Sequence, residues 1–389
     1  MTRVGTGALL LALGLVAAAC GSDADRAASS AATSASAATP GPAPADGLLA
    51  ADCPATIVVQ TDWFPEAEHG ALYQLLGDVP EIDAADKAVR GPLVAAGTDT
   101  GVQLEIRTGG PAIGGQQVVS AMKQDPDILL GYVATDEAIE NYARIPTTAV
   151  VAPLEINPQI IMWDPQTYPD VGEIADLRDR GVTIRYRDSI AYMSYLLAEG
   201  IVDASQLDGS YNGSPAPFVA AGGAIAQQGF ASSEPYTYEV LLPQWGRPVE
   251  FQLIHDTGWT SYAAPLAVLS ERLDGARPCL ERLVPMIQQA QVDYVTDPAR
   301  TNALIVDVVE QYADFWVYSE DLAAFSVAQQ VDLGLVGNGG DATLGNFDLE
   351  RLEAFVAVAL PVFAANDPPA DLAPADIVTN EFIDPSIGL

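Results

Sequence analysis

Two spacings of apolar residues alternate along this chain. Thr56 to Gln60 is a short apolar run that reads as a strand, and a helix carrying Leu72, Tyr73, Leu75 and Leu76 follows. Val102, Leu104 and Ile106 alternate with Gln103, Glu105 and Arg107, the mark of a half-buried strand. Gln116 to Lys123 reads as a helix, Ile128 to Tyr132 as a fully buried strand, and Thr135 to Ala143 as a helix with Asp136 and Glu137 in its first turn. Strands at Thr148–Val151 and Gln159–Trp163 come next, then an alternating Val182, Ile184, Tyr186 and a helix from Ile190 to Glu199. Gly229–Ala231 and the alternating Val249, Phe251, Leu253 supply two more strands. Beyond His255 the pattern turns helical, with apolar stripes at Leu280–Val292, Leu304–Phe315 and Leu349–Ala359. Buried strands alternating with helices imply an α/β fold with a parallel sheet covered on both faces. The two α/β segments, joined near Val150 and again near Ile254, imply two lobes linked by two crossing strands, with extra C-terminal helices.

The first fifty residues follow another pattern. Arg3 precedes an unbroken apolar and glycine run from Ala8 to Ala19, ended by Cys20, Gly21 and Ser22. The run is short for a membrane span and reads as a signal peptide, residues 1–19. Ala17, Ala18 and Ala19 before Cys20 resemble a bacterial lipoprotein signal, which implies acylation of Cys20. Ala17 stands where that signal usually has Leu; the other reading is an ordinary secretory signal with an incidental cysteine. Asp23 to Asp46 holds no aromatic and no large aliphatic residue, so it reads as a flexible linker, residues 20–50. Residues 51–150 with 258–389 form the expected first lobe and residues 151–257 the second.

Charge narrows the partners. Seventeen Lys and Arg against 52 Asp and Glu give a net charge of −35. Phosphate binding needs clustered cations, so nucleic acid is excluded as a partner. With Cys20 set aside, Cys53 and Cys279 remain, either as the disulfide usual in exported chains or as two separate buried thiols. His69 and His255 stand far apart without cysteines at ligand spacing, so no metal and no cofactor is expected.

Four stretches carry a resemblance. They are Val59–Gly70 (VQTDWFPEAEHG), Gly131–Ala138 (GYVATDEA), Ala152–Trp163, and Gly229–Tyr236 (GFASSEPY). The chain resembles extracytoplasmic solute-binding proteins of ABC importers, of the thiamine-pyrimidine-precursor, nitrate, sulfonate and taurine type. The likeness runs over Thr56 to Pro265, and the first stretch is its specific part. The resemblance implies a two-lobe periplasmic-binding-protein-like fold of type II. It also implies a small-molecule ligand, a permease and an ATPase as partners, and capture without enzymatic chemistry. Asp62, Trp63, Pro65, Glu68, His69 and Tyr73 match the pyrimidine-precursor pattern.

Residue chemistry names a cleft independently. Ligands of open α/β sheets sit beyond the carboxyl ends of strands, where Asp62 and Trp63 fall. Trp63 offers a face for stacking, or else packs in the core; His69 and Tyr73, four apart, share a helix face, and His69 is a ligand contact or a structural histidine. Tyr132 and Thr135 follow a buried strand, Glu155 and Asn157 follow the first crossing, and Ser189 and Tyr192 open a helix. Glu234 ends a strand and Trp259 lies on the return crossing. Each of these is a ligand contact or a local structural residue. Aromatics, carboxylates and hydroxyls outnumber the single basic residue Arg187 at these positions. That balance favours a small nitrogen heterocycle, such as a thiamine pyrimidine precursor or a flavin-like ring, over a nitrate, sulfonate or taurine-type anion. An exported hydrolase is the remote alternative; no nucleophile elbow or phosphate loop supports it. Gly109-Gly110-Pro111 lacks a Lys-Ser/Thr partner and reads as a turn. The expected protein is a monomer held by lipid on the outer face of the cell membrane.

Overall fold

A computed structural model describes residues 49–389 apart from Ser189. The expected signal segment, Cys20, the expected linker up to residue 48 and Ser189 lie outside the described residues. Leu49 is already buried and donates its N–H to the Thr100 carbonyl, so the folded body has begun there.

The described strands, numbered in chain order, form two sheets, one per lobe. The first contains β1 (Thr56–Gln60), β2 (Glu81–Asp83), β3 (Ala88–Ala95), β4 (Thr98–Arg107), β5 (Ile128–Tyr132) and β6 (Thr147–Val151). The second contains β7 (Gln159–Trp163), β8 (Ile184–Arg185), β9 (Leu207–Asp208), β10 (Ala226–Phe230) and β11 (Glu250–Leu253), and β12 (Leu266–Leu269) returns to the first. The spatial orders are β2-β3-β4-β1-β5-β12-β6 and β11-β7-β10-β8-β9. β1 is parallel to β4 on one side and to β5 on the other, while β12 runs antiparallel between β5 and β6. β1 and β5 therefore end at the same sheet edge, which sets Asp62–Trp63 beside Val133–Thr135.

Helices α1 (Gly70–Gln74), α2 (Val118–Gln124) and α3 (Thr135–Asn141) follow β1, β4 and β5; α4 (Ile174–Asp179), α5 (Ala191–Ala198), α6 (Ala216–Ala220) and α7 (Glu234–Tyr236) belong to the second sheet's half. The C-terminal part carries α8 (Leu273–Thr296), α9 (Ala299–Tyr312), α10 (Glu320–Asp332), α11 (Leu349–Val362) and α12 (Pro374–Ile377). No helix among the described residues is long and apolar enough to cross a membrane.

The structure departs from the sequence expectations in places with clear causes. The β2–β3 hairpin joins the first sheet as an edge, although Gly91 and Pro92 break its alternation. The expected strand at Val182–Tyr186 shrinks to two residues, and the second C-terminal stripe stops at Tyr312, leaving Phe315 in a loop and 63% exposed. α10 is an additional helix whose surface is rich in Ala and Gln rather than a continuous apolar stripe.

Two chain crossings, residues 152–158 and 254–265, join the lobes. A core cluster spans both sheets: Leu352, Phe355 and Val356 of α11 share it with Tyr192, Tyr195 and Leu196 of α5 and with Val133 and Ile139. Arg351 holds both crossings at once. Its Nε donates to the Thr260 carbonyl (3.1 Å), and its Nη1 donates to the Glu155 carbonyl (2.9 Å) and to Glu155 Oε1 (2.8 Å). The guanidinium carbon lies 4.1 Å from the Tyr262 ring centre. Cys53 and Cys279 form a disulfide, tying the segment before β1 to α8.

Candidate functional site

The first wall of the site is the turn after β1. Thr61 Oγ1 donates to the Trp63 carbonyl (2.7 Å), and the Gly109 N–H donates to the same carbonyl (3.1 Å). Gly110 has φ +56°, and a Cβ there would sit 2.5 Å from Trp63 Cε3, so the glycine turn seats the indole. Trp63 is half-buried, edge-on to Trp316 at 6.1 Å, while Phe64 stacks on Trp316 at 6.0 Å. Trp316 is fixed by its Nε1 donating to the Pro65 carbonyl (3.2 Å). The sequence reading missed Trp316; it lies some 250 residues from its partners, and no local pattern marks it.

Helix formation after Pro65 begins as a 3-10 turn at Ala67–His69 and continues as α1. That turn carries Glu68 and His69, with Glu66 at its N-cap. His69 Nε2 pairs with Asp62 Oδ1 at 2.8 Å, and the His69 ring faces Tyr132 at 5.0 Å. His69 Nδ1 and the Tyr132 hydroxyl are buried with no partner, their residues 1% and 0% exposed.

The second wall comes from the other lobe. Ser232 Oγ donates to Glu68 Oε1 across the lobes, and the Ser232 carbonyl accepts from Ser326 Oγ (2.7 Å). Ser326 accepts in turn from Tyr318 (3.1 Å), whose hydroxyl accepts from the Ala67 N–H (3.0 Å). Glu234 Oε2 accepts from the Phe230 N–H (2.6 Å), with the Tyr211 hydroxyl 3.5 Å from its other oxygen. The lobes are therefore shut on one another. Two surface depressions lie elsewhere, one of about 400 Å³ beside Glu105 and Arg107 and one of about 730 Å³ between Leu75 and α8.

Carboxyl groups dominate the electrostatics. Burial pushes Glu66 well up, helped by Glu68, Asp62 and Glu234. Burial also raises Glu68, against the opposing Ser232 hydrogen bond. Glu137 rises to about 8 and Glu234 to about 7, in both cases chiefly from burial. Among the described ion pairs none involves Glu66, Glu68, Glu137 or Glu234. Arg185, 6.0 Å from the Tyr211 ring centre, is engaged by Asp208, Gln227 and Ser210. Arg187 is exposed at the end of β8 and in none of the described ion pairs.

The remaining expected residues fall around this cleft in different ways. Tyr73, 1% exposed, lies beneath it in the core with α8 and α9. Thr135 Oγ1 accepts from the Tyr262 N–H (3.0 Å), so it braces the return crossing. Glu155 is occupied by Arg351, and Asn157 donates to Ser261 Oγ (3.0 Å), which places both at the crossings. Tyr192 donates to Gln228 (3.3 Å) on the second sheet. Trp259 is 1% exposed between Tyr195 (5.3 Å) and Phe355 (5.0 Å), packing rather than presenting a face.

No protein-family model matches the sequence, and no curated protein matches it. Solved structures do match in fold. The periplasmic aliphatic sulphonate binding protein SsuA from Escherichia coli is 14% identical with a TM-score of 0.55, covering 84% of this chain and 92% of that one. The alkanesulfonate-binding protein SsuA from Xanthomonas axonopodis pv. citri, bound to MOPS, is 15% identical with a TM-score of 0.51, covering 84% and 98%. A ligand-binding component of an ABC-type import system from Staphylococcus aureus, with zinc bound, is 13% identical with a TM-score of 0.50, covering 85% and 98%. At these identities the likeness is one of fold: the chain has the two-lobe architecture of periplasmic binding proteins, with additional C-terminal helices.

Proposed function

We propose that this chain is the solute-binding component of an ABC import system. It captures a small molecule between its lobes and delivers it to a permease driven by an ATPase. One observation carries the reading. The turn after β1 meets the other lobe where Ser232 donates to Glu68, Glu234 lies two residues beyond Ser232, and Trp63 stands half-buried in the same turn. Solved proteins of the same fold are binding proteins for sulfonates and the ligand-binding component of an ABC-type import system. Residues 51–150 with 258–389 and residues 151–257 are the moving parts in this reading, and ligand-favoured closure between them is the capture step. Cys20 would carry a lipid that keeps the monomer at the outer face of the membrane.

Two ligand classes compete. Fold likeness to two sulfonate-binding proteins supports an anion of the sulfonate, nitrate or taurine type, and exposed Arg187 is the residue to receive it. Trp63, Trp316 and the carboxyl lining support a nitrogen heterocycle stacked on indole, such as a thiamine pyrimidine precursor or a flavin-like ring. A thermal-melt screen of the body with aminopyrimidines, riboflavin, taurine, alkyl sulfonates and nitrate decides between them. Ligand at about a hundred times its Kd adds roughly 2.7 kcal/mol of stability. A shift with a heterocycle that Trp63→Ala abolishes supports the heterocycle class. A shift with an anion that Arg187→Ala abolishes supports the anion class, and no shift with any compound refutes capture of these solutes.

A further inference from the structure

The closed cleft holds an electrostatic problem that its own residues do not solve. Asp62, Glu66 and Glu68 come from the first lobe, Glu137 from the start of α3, and Glu234 from the second lobe. Glu66 feels Glu68, Asp62 and Glu234; Glu137 feels Asp136, Asp62 and Glu140. Hydrogen bonds from neutral donors reach three of these groups: Ser232 to Glu68, the Val119 N–H to Glu137 (3.1 Å), and the Phe230 N–H to Glu234. None of the described hydrogen bonds or ion pairs reaches the Glu66 carboxyl. Two further groups wait beside them without partners, the Tyr132 hydroxyl, on which Asp62 is the acting charge, and His69 Nδ1. Trp63, next to Asp62 in the chain and half-buried, stands edge-on to Trp316, which is stacked on Phe64 and Tyr318.

We propose that the ligand captured here is an organic cation, seated with its positive charge among Asp62, Glu66, Glu137 and Glu234 and its apolar body against Trp63. This rests on the capture reading above and assigns the charge of the solute. Aromatic faces beside carboxylates are the physical means of holding ammonium and heteroaromatic cations. A buried carboxylate without a counter-charge is costly, so burial favours the protonated forms of Glu66, Glu137 and Glu234 in the closed cleft. A cation replaces those protons. Binding therefore releases protons, and affinity climbs with pH as Glu234, near 7, and Glu137, near 8, give theirs up. The other titratable neighbours do not reverse this sign. Asp136, raised by burial to about 6, and Glu140 are acids on α3. Tyr73, Tyr211 and Tyr238 are all pushed up, so they stay neutral and uncharged through this range. His69 is spoken for by Asp62, and Arg185 by Asp208. An anion at this seat would meet four carboxyl groups, with Glu68 beside them.

Calorimetry of the mature body with thiamine, choline and spermidine against ethanesulfonate and nitrate tests this, at pH 6, 7 and 8 and in two buffers of different ionisation enthalpy. The expected result is binding of at least one cation with proton release, and an affinity that rises up to about tenfold per pH unit for each proton released. Glu137→Gln and Glu234→Gln, isosteric changes that keep the fold, should each weaken it roughly tenfold or more at pH 8 and reduce the protons released. Binding of an anion, unchanged or tightened by those substitutions, overturns the cation assignment while leaving capture standing. If neither class binds, the capture reading itself falls, and the cation assignment with it.

Discussion

Replacing Arg351 with Met keeps the aliphatic bulk of the side chain and deletes the guanidinium that ties both crossings to α11. Three hydrogen bonds vanish, to Thr260 O, Glu155 O and Glu155 Oε1, along with the contact to Tyr262. Glu155, its side chain 16% exposed, is left without its counter-ion. Removing one partner of a buried pair costs 3–5 kcal/mol; partial access of water to Glu155 brings the expectation to about 3 kcal/mol. In a chain of this size that lowers Tm by roughly 4 °C. The deficit also depends on pH. Burial already raises Glu155, and Arg351 is what opposes the rise. Without Arg351 the folded state holds the Glu155 proton more strongly than the unfolded chain does. Stability is then lost as pH climbs through that window, so the deficit is larger at pH 8 than at pH 5. Scanning calorimetry of Arg351→Met, and of Arg351→Met with Glu155→Gln, checks both statements. The double variant should recover part of the loss, because the stranded carboxyl is gone. A single variant melting within about 1 °C of the parent, or a deficit that grows toward acid, refutes the argument.

Other outcomes follow from the same geometry. Trp316→Ala should weaken solute capture without a large fall in Tm, read by titration of intrinsic fluorescence, since the indole lies half-buried at the rim. His255 is held down to about 4, first by burial and then by Arg351, so stability falls as pH drops from 6.5 towards 4; His255→Gln should flatten that slope in melts at pH 4.5 to 7. Gly229→Ala places a Cβ 2.6 Å from Glu234 Cγ, which displaces that carboxyl and should reduce capture more than stability, measured side by side by calorimetry and thermal melts. Replacing Cys53 and Cys279 by Ser removes a link closing 226 residues of chain and should cost about 2–5 kcal/mol, seen as a lower denaturant midpoint.

Much of the frame was readable from the chain because its strands are locally marked. β1, β5 and β7 are short apolar runs bounded by polar residues, and α8 and α11 carry stripes at helical spacing. The β2–β3 hairpin escaped because an edge buries little, and Gly91-Pro92 interrupts the period that would announce it. β12, only four residues long, lies just beyond the Tyr262–Pro265 loop and is identified by pairing with β5 and β6, a relation no local window contains. At the cleft, Asp62, Trp63, Tyr132 and Glu234 were named by their places at strand ends, and His69 by its place on a helix face. Glu66, Glu137 and Trp316 were not, since what distinguishes them is the company they keep across the fold. Trp259 and Tyr73 show the converse: an aromatic near a crossing or a helix start looks alike in sequence whether it faces a solute or fills a core.

The Cys53–Cys279 bond has a mechanical meaning. Leu49 is anchored by the Thr100 carbonyl, and four residues later the chain is riveted to the long helix α8. Force arriving through the residues before Leu49 thus divides between β4 and α8, upstream of the first residue of β1. The strand that ends in Asp62 and Trp63 is left off that line of tension. Whatever pulls on the leading segment can swing the body as a whole while the solute-facing turn stays slack.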